Sequence, residues 1–431
     1  MARACLLPIL LAMLAAAGAV LPAPARAVEP VAGSDYDPRS VLVRYDDGRE
    51  RGVAVPKGST VERTIARLER RPGVDSVRRQ WLAHASFIPN DPGRGSGWSA
   101  VQWNLVSPVA GINAPVAWDH LNAAGRPGGA RVVVAVLDTG VAYRNLGRYK
   151  RSPDLNPKRF KRGYDFVAND QYPLDENGHG THVASTIAES ANNGIGLTGV
   201  AYGASILPVR VLNANGEGRT TAIARGIRFA TDRGANIINL SFEFGRSVID
   251  ADIPDVLSAL RYARNKGVLV VGAAGNEDRR TVAYPARADN VLAVGSTTER
   301  GCRSAFSNDG TGLDLVAPGG GADARIPGDP NCSPNLPDGA DIFQMTYTGS
   351  SRTRFGFPKG YVGTSMATPH VSATAALVIA SGVLGPNPTP DAIVRRLQQT
   401  ARDLGTPGPD RHYGAGIIDA GAATDPAIPP T

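Results

Sequence analysis

The sequence of 431 residues predicts an α/β fold: a doubly wound, mostly parallel sheet that follows a small α+β domain. From residue 130 onward, apolar runs of strand length alternate with helical segments. Parallel strands that are covered on both faces have such continuous apolar runs, and alternation with helices predicts a parallel sheet. The runs are residues 131–137, 206–212, 237–240, 268–271 and 291–294.

The first 27 residues have the pattern of a signal peptide. Arg3 precedes an apolar run over residues 6–20, and residues 25–27 (Ala-Arg-Ala) fit a cleavage site. The run is too short for a good membrane span. A buried N-terminal helix is the alternative interpretation. The pattern predicts a secreted, extracellular protein with no membrane anchor.

A small, charged α+β domain is predicted over residues 28–88. The expected order is a linker over 28–40, a strand over 41–45, a helix, and a further strand over 74–87. Ser59 and Glu62 have the spacing of a capping box, which predicts that Ser59 caps the helix. Val61, Ile65 and Leu68 fall on one face of that helix. The loop over residues 88–93 is rich in Pro, Asn, Asp and Gly, which favours proteolysis there.

Composition and cysteine content narrow the function further. A hydrophobic fraction of 42% supports a packed core, and a net charge of +7 over this length does not argue for nucleic-acid binding.

Removal of a signal peptide leaves Cys302 and Cys332. In an exported protein two cysteines favour one disulfide, and two free thiols are the alternative.

Three short strings carry an Asp, a His and a Ser among small residues. They are residues 136–140 around Asp138, 177–182 around His179 and 363–370 around Ser365. A triad needs a hydroxyl nucleophile, an imidazole that takes its proton and a carboxylate that orients the imidazole. Each of the three follows a predicted strand or begins a predicted helix, where doubly wound sheets place their sites. His182 is expected to be structural, because no third metal ligand stands near the histidine pair.

The order Asp, His, Ser and the residues around them resemble the subtilisin family of serine endopeptidases, the subtilases. The resemblance covers residues 100–425, the predicted catalytic domain. It implies that Asp138, His179 and Ser365 are catalytic and that Asn276, in the string Ala273-Ala274-Gly275-Asn276, donates to the oxyanion. It also implies that residues 28–88 are a propeptide that acts as folding chaperone and transient inhibitor.

The resemblance implies a substrate-binding wall as well. Its residues are Ser241, Phe242, Glu243, Ala273, Ala274, Gly275 and Ala283. The family usually has Ser-Leu-Gly-Gly where this chain has Ser241-Phe242-Glu243-Phe244. A Glu243 that points outward leaves an apolar pocket, whereas one that points inward favours Lys or Arg before the cut. The apolar pocket, with modest tolerance of basic residues, is the preferred interpretation.

A structural calcium site is implied by the same resemblance. Its ligands are Asp154, Asn193 and the carbonyls of Ala191, Ile195 and Leu197, with Gln102 as a further candidate ligand. Carboxylate, amide and carbonyl oxygens are the ligands that Ca²⁺ takes in proteins. An ordinary Asn-Gly turn is the alternative. No cofactor is expected for the chemistry itself.

These observations predict a monomeric, secreted serine endopeptidase that acts on protein or peptide substrates and is matured by removal of its propeptide. Two alternatives stay open. One is a dedicated processing protease with one partner substrate, which the unusual Glu243 allows. The other is a catalytically silent subtilase fold that serves as a binding protein.

Overall fold

The computed structural model describes residues 36–81 and 87–429. The predicted signal peptide, residues 1–27, lies outside these residues. The central sheet consists of β4 (Val133–Asp138), β5 (Tyr164–Asp165), β6 (Ser205–Arg210), β7 (Ile237–Leu240), β8 (Leu269–Ala273), β9 (Leu292–Thr297) and β10 (Leu315–Pro318). Its strand order is β10-β9-β8-β7-β4-β6-β5, and every neighbouring pair is parallel. The predicted fold class is confirmed.

A small α+β domain precedes this sheet, as predicted. It contains β1 (Tyr36–Tyr45), β2 (Glu50–Ala54), α1 (Val61–Leu68) and β3 (Val74–Trp81). The antiparallel order is β2-β1-β3, and α1 packs Val61 and Leu68 against Val41, Val43 and Val77.

Three details of the small domain differ from the prediction. Residues 36–40, expected in a linker, belong to β1, and β2 was not predicted. Thr60 caps α1 in place of Ser59, because the Thr60 hydroxyl accepts from the Arg63 N–H. Glu62, expected to close a capping box, instead pairs with Arg79 at 3.1 Å.

Helices cover both faces of the central sheet. They are α2 (Trp103–Val106), α3 (Ala114–Ala123), α4 (His179–Ala188), α5 (Thr220–Asp232), α6 (Pro254–Asn265), α7 (Thr364–Ser381), α8 (Pro390–Gln399) and α9 (Ala420–Thr424). A short hairpin, β11 (Thr346–Tyr347) and β12 (Phe355–Gly356), lies between β10 and α7.

Each face of the sheet has its own hydrophobic core. Side chains alternate along β4: Val134 and Val136 join the core that contains α3, α4 and α7, whereas Ala135 and Leu137 join the core that contains α5 and α6. This period of two follows from strand geometry. Helix α7 is apolar on nearly all sides and lies deep in the first core, as expected for a helix with no polar face. Its first turn lies at the carboxyl ends of the strands.

A disulfide joins Cys302 and Cys332, which resolves the two alternatives for these cysteines. The segment that it closes follows β9 and contains β10. Within residues 36–81 and 87–429, no helix has the length and apolar character needed to cross a membrane.

Candidate active site

Asp138 is the last residue of β4 and is completely buried. Its Oδ1 accepts from the backbone N–H of Thr139 at 2.7 Å and lies 2.8 Å from His179 Nδ1. The strand and the hydrogen bond from Thr139 hold the carboxylate in place independently of the imidazole. The carboxylate therefore selects the tautomer of His179 that carries its proton on Nδ1 and leaves Nε2 free to act as a base.

His179 begins α4, and the glycine after it allows the helix to approach β4. A Cβ on Gly180 would lie 2.2 Å from the Gly140 carbonyl oxygen and 3.0 Å from Asp138 Cβ. Gly178, which precedes the helix, has a φ of +112°, a conformation that favours glycine. The two glycines thus place the imidazole against the carboxylate.

Asp175 organises the turn that leads into α4, a role that the sequence analysis missed. Its buried carboxylate accepts from the N–H groups of Asn177, Gly178 and Thr181 and from the hydroxyls of Thr139 and Thr181. It therefore connects the start of α4 with the residue after Asp138. The signal available in the sequence was an aspartate just before an Asn-Gly turn, where the side chain can bond the backbone ahead of it.

The two histidines of this string have opposite electrostatic environments. Burial disfavours a charged His179, but the charge and hydrogen bond of Asp138 outweigh burial and raise its pKa. His179 is 26% exposed, so substrate can reach it. His182 stacks on Tyr361, binds the Ile342 carbonyl oxygen, and has its pKa lowered to about 3 by burial. It is a neutral structural residue.

Ser365 lies in the first turn of α7 and is joined to the segment after β7. Its hydroxyl donates to the Ser241 carbonyl oxygen at 2.9 Å, and the Ser241 hydroxyl donates to the Ser365 carbonyl oxygen at 2.9 Å. In the part of the chain that the structure describes, no hydrogen bond joins Ser365 Oγ to His179. In enzymes without substrate such catalytic bonds are often long, and they form only in the complex.

Asn276 lies directly beside the start of α7. Its Oδ1 accepts from the Thr364 N–H at 2.8 Å and from the Thr364 hydroxyl at 3.1 Å. The Nδ2 group consequently points away from Thr364. Helix α7 adds the positive end of its dipole to this region. The arrangement brings the Asn276 amide next to the helix N-terminus that carries Ser365, and such groups can stabilise a developing negative charge.

The predicted substrate-binding residues lie on three adjacent segments. Residues 241–244 follow β7, 273–276 end and follow β8, and the Ala283 N–H donates to the Ala274 carbonyl oxygen. The side chain of Phe242 packs into the core with α5 and α6, so only its backbone can face substrate. Glu243 turns toward Asn276 and binds it, so the outward orientation behind the preferred interpretation is wrong.

Two of the proposed calcium ligands, Asp154 and Asn193, are in contact with each other. Asp154 is buried; its Oδ1 accepts from Asn193 Nδ2 at 2.7 Å, and its Oδ2 accepts from the Leu197 N–H at 3.2 Å. Gln102 instead bonds the backbone of Thr198 with both ends of its amide. Ala191 and Ile195 belong to the same loop, residues 191–197.

A second buried carboxylate, Glu189, lies beside Asp154 and was not predicted from the sequence. Burial, with a smaller effect of the Asp91 charge, raises the pKa of Asp154 to about 7, and burial together with the Asp154 charge raises the pKa of Glu189. Among residues 36–81 and 87–429, buried Glu189 Oε2 has no hydrogen-bond partner, and oxygen donors of this kind fit a hard cation. Within the described residues, no three His, Cys, Asp or Glu side chains form a group that could hold a metal ion.

Comparison with known proteins agrees with this geometry. The model of the family described as "Subtilase family" matches residues 129–416. A thermophilic serine proteinase of Bacillus sp. strain AK1 is 36% identical over 76% of this chain and 69% of its own length. Subtilisin BL of Lederbergia lenta is 38% identical over 69% of this chain and 91% of its own length.

A solved structure of a protease from Pseudoalteromonas arctica matches with a TM-score of 0.62 and 32% identity, over 79% of this chain and all of that one. The match of fold and sequence extends over most of the chain. The chain therefore belongs to the subtilase family, and the protein is a subtilisin-type serine endopeptidase.

Proposed function

We propose that the protein is a secreted endopeptidase that hydrolyses peptide bonds through Asp138, His179 and Ser365 and matures by removal of its propeptide. The observation that supports the triad best is the 2.8 Å contact between Asp138 Oδ1 and His179 Nδ1, at the strand edge where α7 presents Ser365. A catalytically silent binding protein would not need this arrangement of the three side chains.

In this mechanism Ser365 Oγ leaves its resting bond to the Ser241 carbonyl oxygen and attacks the scissile carbonyl carbon. Nε2 of His179 takes the hydroxyl proton and then gives it to the leaving amine, which departs and leaves an acyl-enzyme. Water, deprotonated by the same imidazole, releases the acyl group. Asp138 stabilises the imidazolium that forms in both steps.

The negative charge on the carbonyl oxygen needs donors that are in place before reaction. Asn276 Nδ2 and the backbone N–H of Ser365 at the start of α7 are the groups that we assign to this role. The fold fixes the positions of both groups before reaction, and donors that are already in position are the source of electrostatic catalysis at such a site.

A Ser365→Ala variant tests this proposal. We expect it to lose peptidase activity by about a millionfold, the order seen when a triad serine is removed. A fluorophosphonate probe should label the wild type at Ser365 and leave the variant unlabelled. Peptide hydrolysis that survives in the variant would exclude Ser365 as the nucleophile.

Calcium is a proposed stabiliser and has no step in the chemistry. Asp154, the Asn193 side chain and the carbonyls of Ala191, Ile195 and Leu197 would hold it. Glu189 is added as a neighbouring carboxylate, because its free Oε2 lacks a partner. The cation would offset the repulsion between two buried carboxylates and connect loop 191–197 to the rest of the domain.

A further inference from the structure

Glu243 is the residue of the substrate-binding wall whose position the family pattern does not explain. It follows β7 two residues after Ser241, whose carbonyl oxygen holds the Ser365 hydroxyl. Its side chain crosses to the segment after β8: a Cβ on Gly275 would lie 2.2 Å from Glu243 Oε2. Only a glycine at position 275 leaves room for this carboxylate.

The carboxylate of Glu243 binds the proposed oxyanion donor itself. Its Oε2 accepts from the Asn276 backbone N–H at 3.0 Å, and its Oε1 accepts from Asn276 Nδ2 at 3.2 Å. Thr364 holds the other end of the same amide. A negative charge is therefore in contact with the group that has to stabilise a negative oxygen during the reaction.

The charge of Glu243 has no direct counter-ion: among the residues that the structure describes, no basic side chain lies within ion-pair distance of it. Glu277 and Arg279 are the charged groups that act on it, and they pair with each other at 3.4 Å. Burial raises the pKa of Glu243, since its hydrogen bonds to Asn276 only partly compensate for lost water. The half-buried carboxylate therefore has no cationic partner within the described residues. A basic side chain of a substrate can supply one.

We propose that a Lys or Arg side chain on the residue before the scissile bond pairs with Glu243 and frees Asn276 for the oxyanion, so that basic substrates react faster. The inference rests on the proposed triad mechanism. That residue carries the carbonyl that Ser365 attacks, so its side chain lies next to the oxygen bound by Asn276 and within reach of Glu243. With an apolar side chain the carboxylate stays on Asn276, and its charge opposes the oxyanion.

Two peptides that differ at that residue test the coupling, one with lysine and one with norleucine, which has the lysine stem without the ammonium. We expect kcat for lysine to exceed kcat for norleucine by about fivefold to tenfold, the range of a partly buried ion pair. In Glu243→Gln, the ratio should fall to about one, chiefly because kcat for norleucine rises. Asp232→Asn, which removes an exposed carboxylate at the end of α5 that contacts Tyr262 and neither Glu243 nor Asn276, should keep the wild-type ratio.

A second measurement separates coupling from simple attraction. In an Asn276→Ala background, Glu243→Gln should no longer raise kcat for norleucine, since no donor remains to be released. In the wild type the lysine-to-norleucine ratio should decline as pH falls through the Glu243 pKa, and it should be flat in Glu243→Gln. The ratio cancels the ionisation of His179, which both substrates share.

The outcomes are distinct. If the lysine and norleucine peptides differ in KM and not in kcat, Glu243 is only a charge that binds substrate, and the coupling is overturned. Equal kcat for both peptides at every pH would overturn it as well. If the wild type cleaves neither peptide and no fluorophosphonate label appears, the proposed function itself fails.

Discussion

In the proposed mechanism, the contact between Asp138 and His179 makes the rate depend on pH through one imidazole. The neutral ring would be the base, so we expect activity to rise with pH as His179 loses its proton. Asp138 stabilises the charged ring and raises its pKa against the opposing effect of burial. The acid limb of the pH profile therefore lies higher than that of an ordinary histidine.

Replacing Asp138 with asparagine should move that limb to lower pH, because the charge that raises the His179 pKa is gone. It should also lower kcat by about 10⁴, since the amide no longer selects the productive tautomer. Measurement of kcat and of kcat/KM against pH on one peptide gives both quantities. A limb that shifts upward, or an unchanged kcat, would contradict the assigned role of Asp138.

The placement of residues that stand in a distinctive local string was predictable. Asp138, His179 and Ser365 each stand in a short segment that also sets their backbone, and the structure brings the segments together at one edge of the sheet. The orientation of Glu243 was not predictable, because its partner Asn276 is 33 positions away and the pocket allowed two directions. Glu189 was missed for the same reason: its significance comes from Asp154, on a distant segment.

At the scale of elements, apolar runs located the strands and the helices between them. The runs predicted β4 and β6 to β9 within a few residues, since a strand buried on both faces has little choice of residue. β2 was not predicted, because it is short, exposed and charged. The position of the α1 cap was wrong by one residue because Ser59 and Thr60 are both good caps and only the tertiary position of the helix decides between them.

The disulfide between Cys302 and Cys332 should stabilise the segment around β10. It joins residues 30 positions apart, and loop closure of that length corresponds to about 3–4 kcal/mol. We expect Cys302→Ala with Cys332→Ala to lower the free energy of unfolding by about that amount. Urea denaturation in a Ser365→Ala background measures it without self-digestion.

Treatment with a reductant is the control for this prediction. It should lower the free energy of unfolding of the protein that has both cysteines and leave that of the double alanine variant unchanged. Equal unfolding free energies for the two proteins in the absence of reductant would show that the bridge contributes nothing to stability.

At the scale of the whole molecule, the small domain over β1 to β3 and the domain of the central sheet belong to one chain, which we propose to be a precursor. We expect the full-length Ser365→Ala protein to stay joined, because self-cleavage needs the nucleophile. Added active enzyme should cut it in the region of residues 84–90. Mass spectrometry of the new N-terminus locates the cut, and spontaneous cleavage of the pure variant at that joint would refute self-processing.

Calcium acts on the stability of the whole catalytic domain if loop 191–197 holds it. An ion that binds only the folded state, present at a hundredfold excess over its Kd, adds about 2.7 kcal/mol. In enzyme inactivated by a covalent serine reagent, chelator should lower Tm in the wild type and less in Asn193→Ala.

Asn213→Ala is the matched control for this prediction. Asn213 also closes a turn with its side chain, but that turn lies on a different loop. The variant should retain the full effect of chelator. A wild-type melting curve that chelator leaves unchanged would reject a stabilising calcium ion.

The all-parallel strand order has a consequence for the time that folding takes. β4 pairs with β7, so that Val134 meets Ile237 across about 100 positions of chain, and no neighbouring strands of this sheet form a hairpin. Chains dominated by such distant contacts fold slowly, because loop entropy is lost before any contact compensates for it. We expect the barrier that slows folding to slow unfolding of the folded enzyme as well. Rare opening exposes little cleavable backbone, which lengthens the survival of each molecule among active copies of itself.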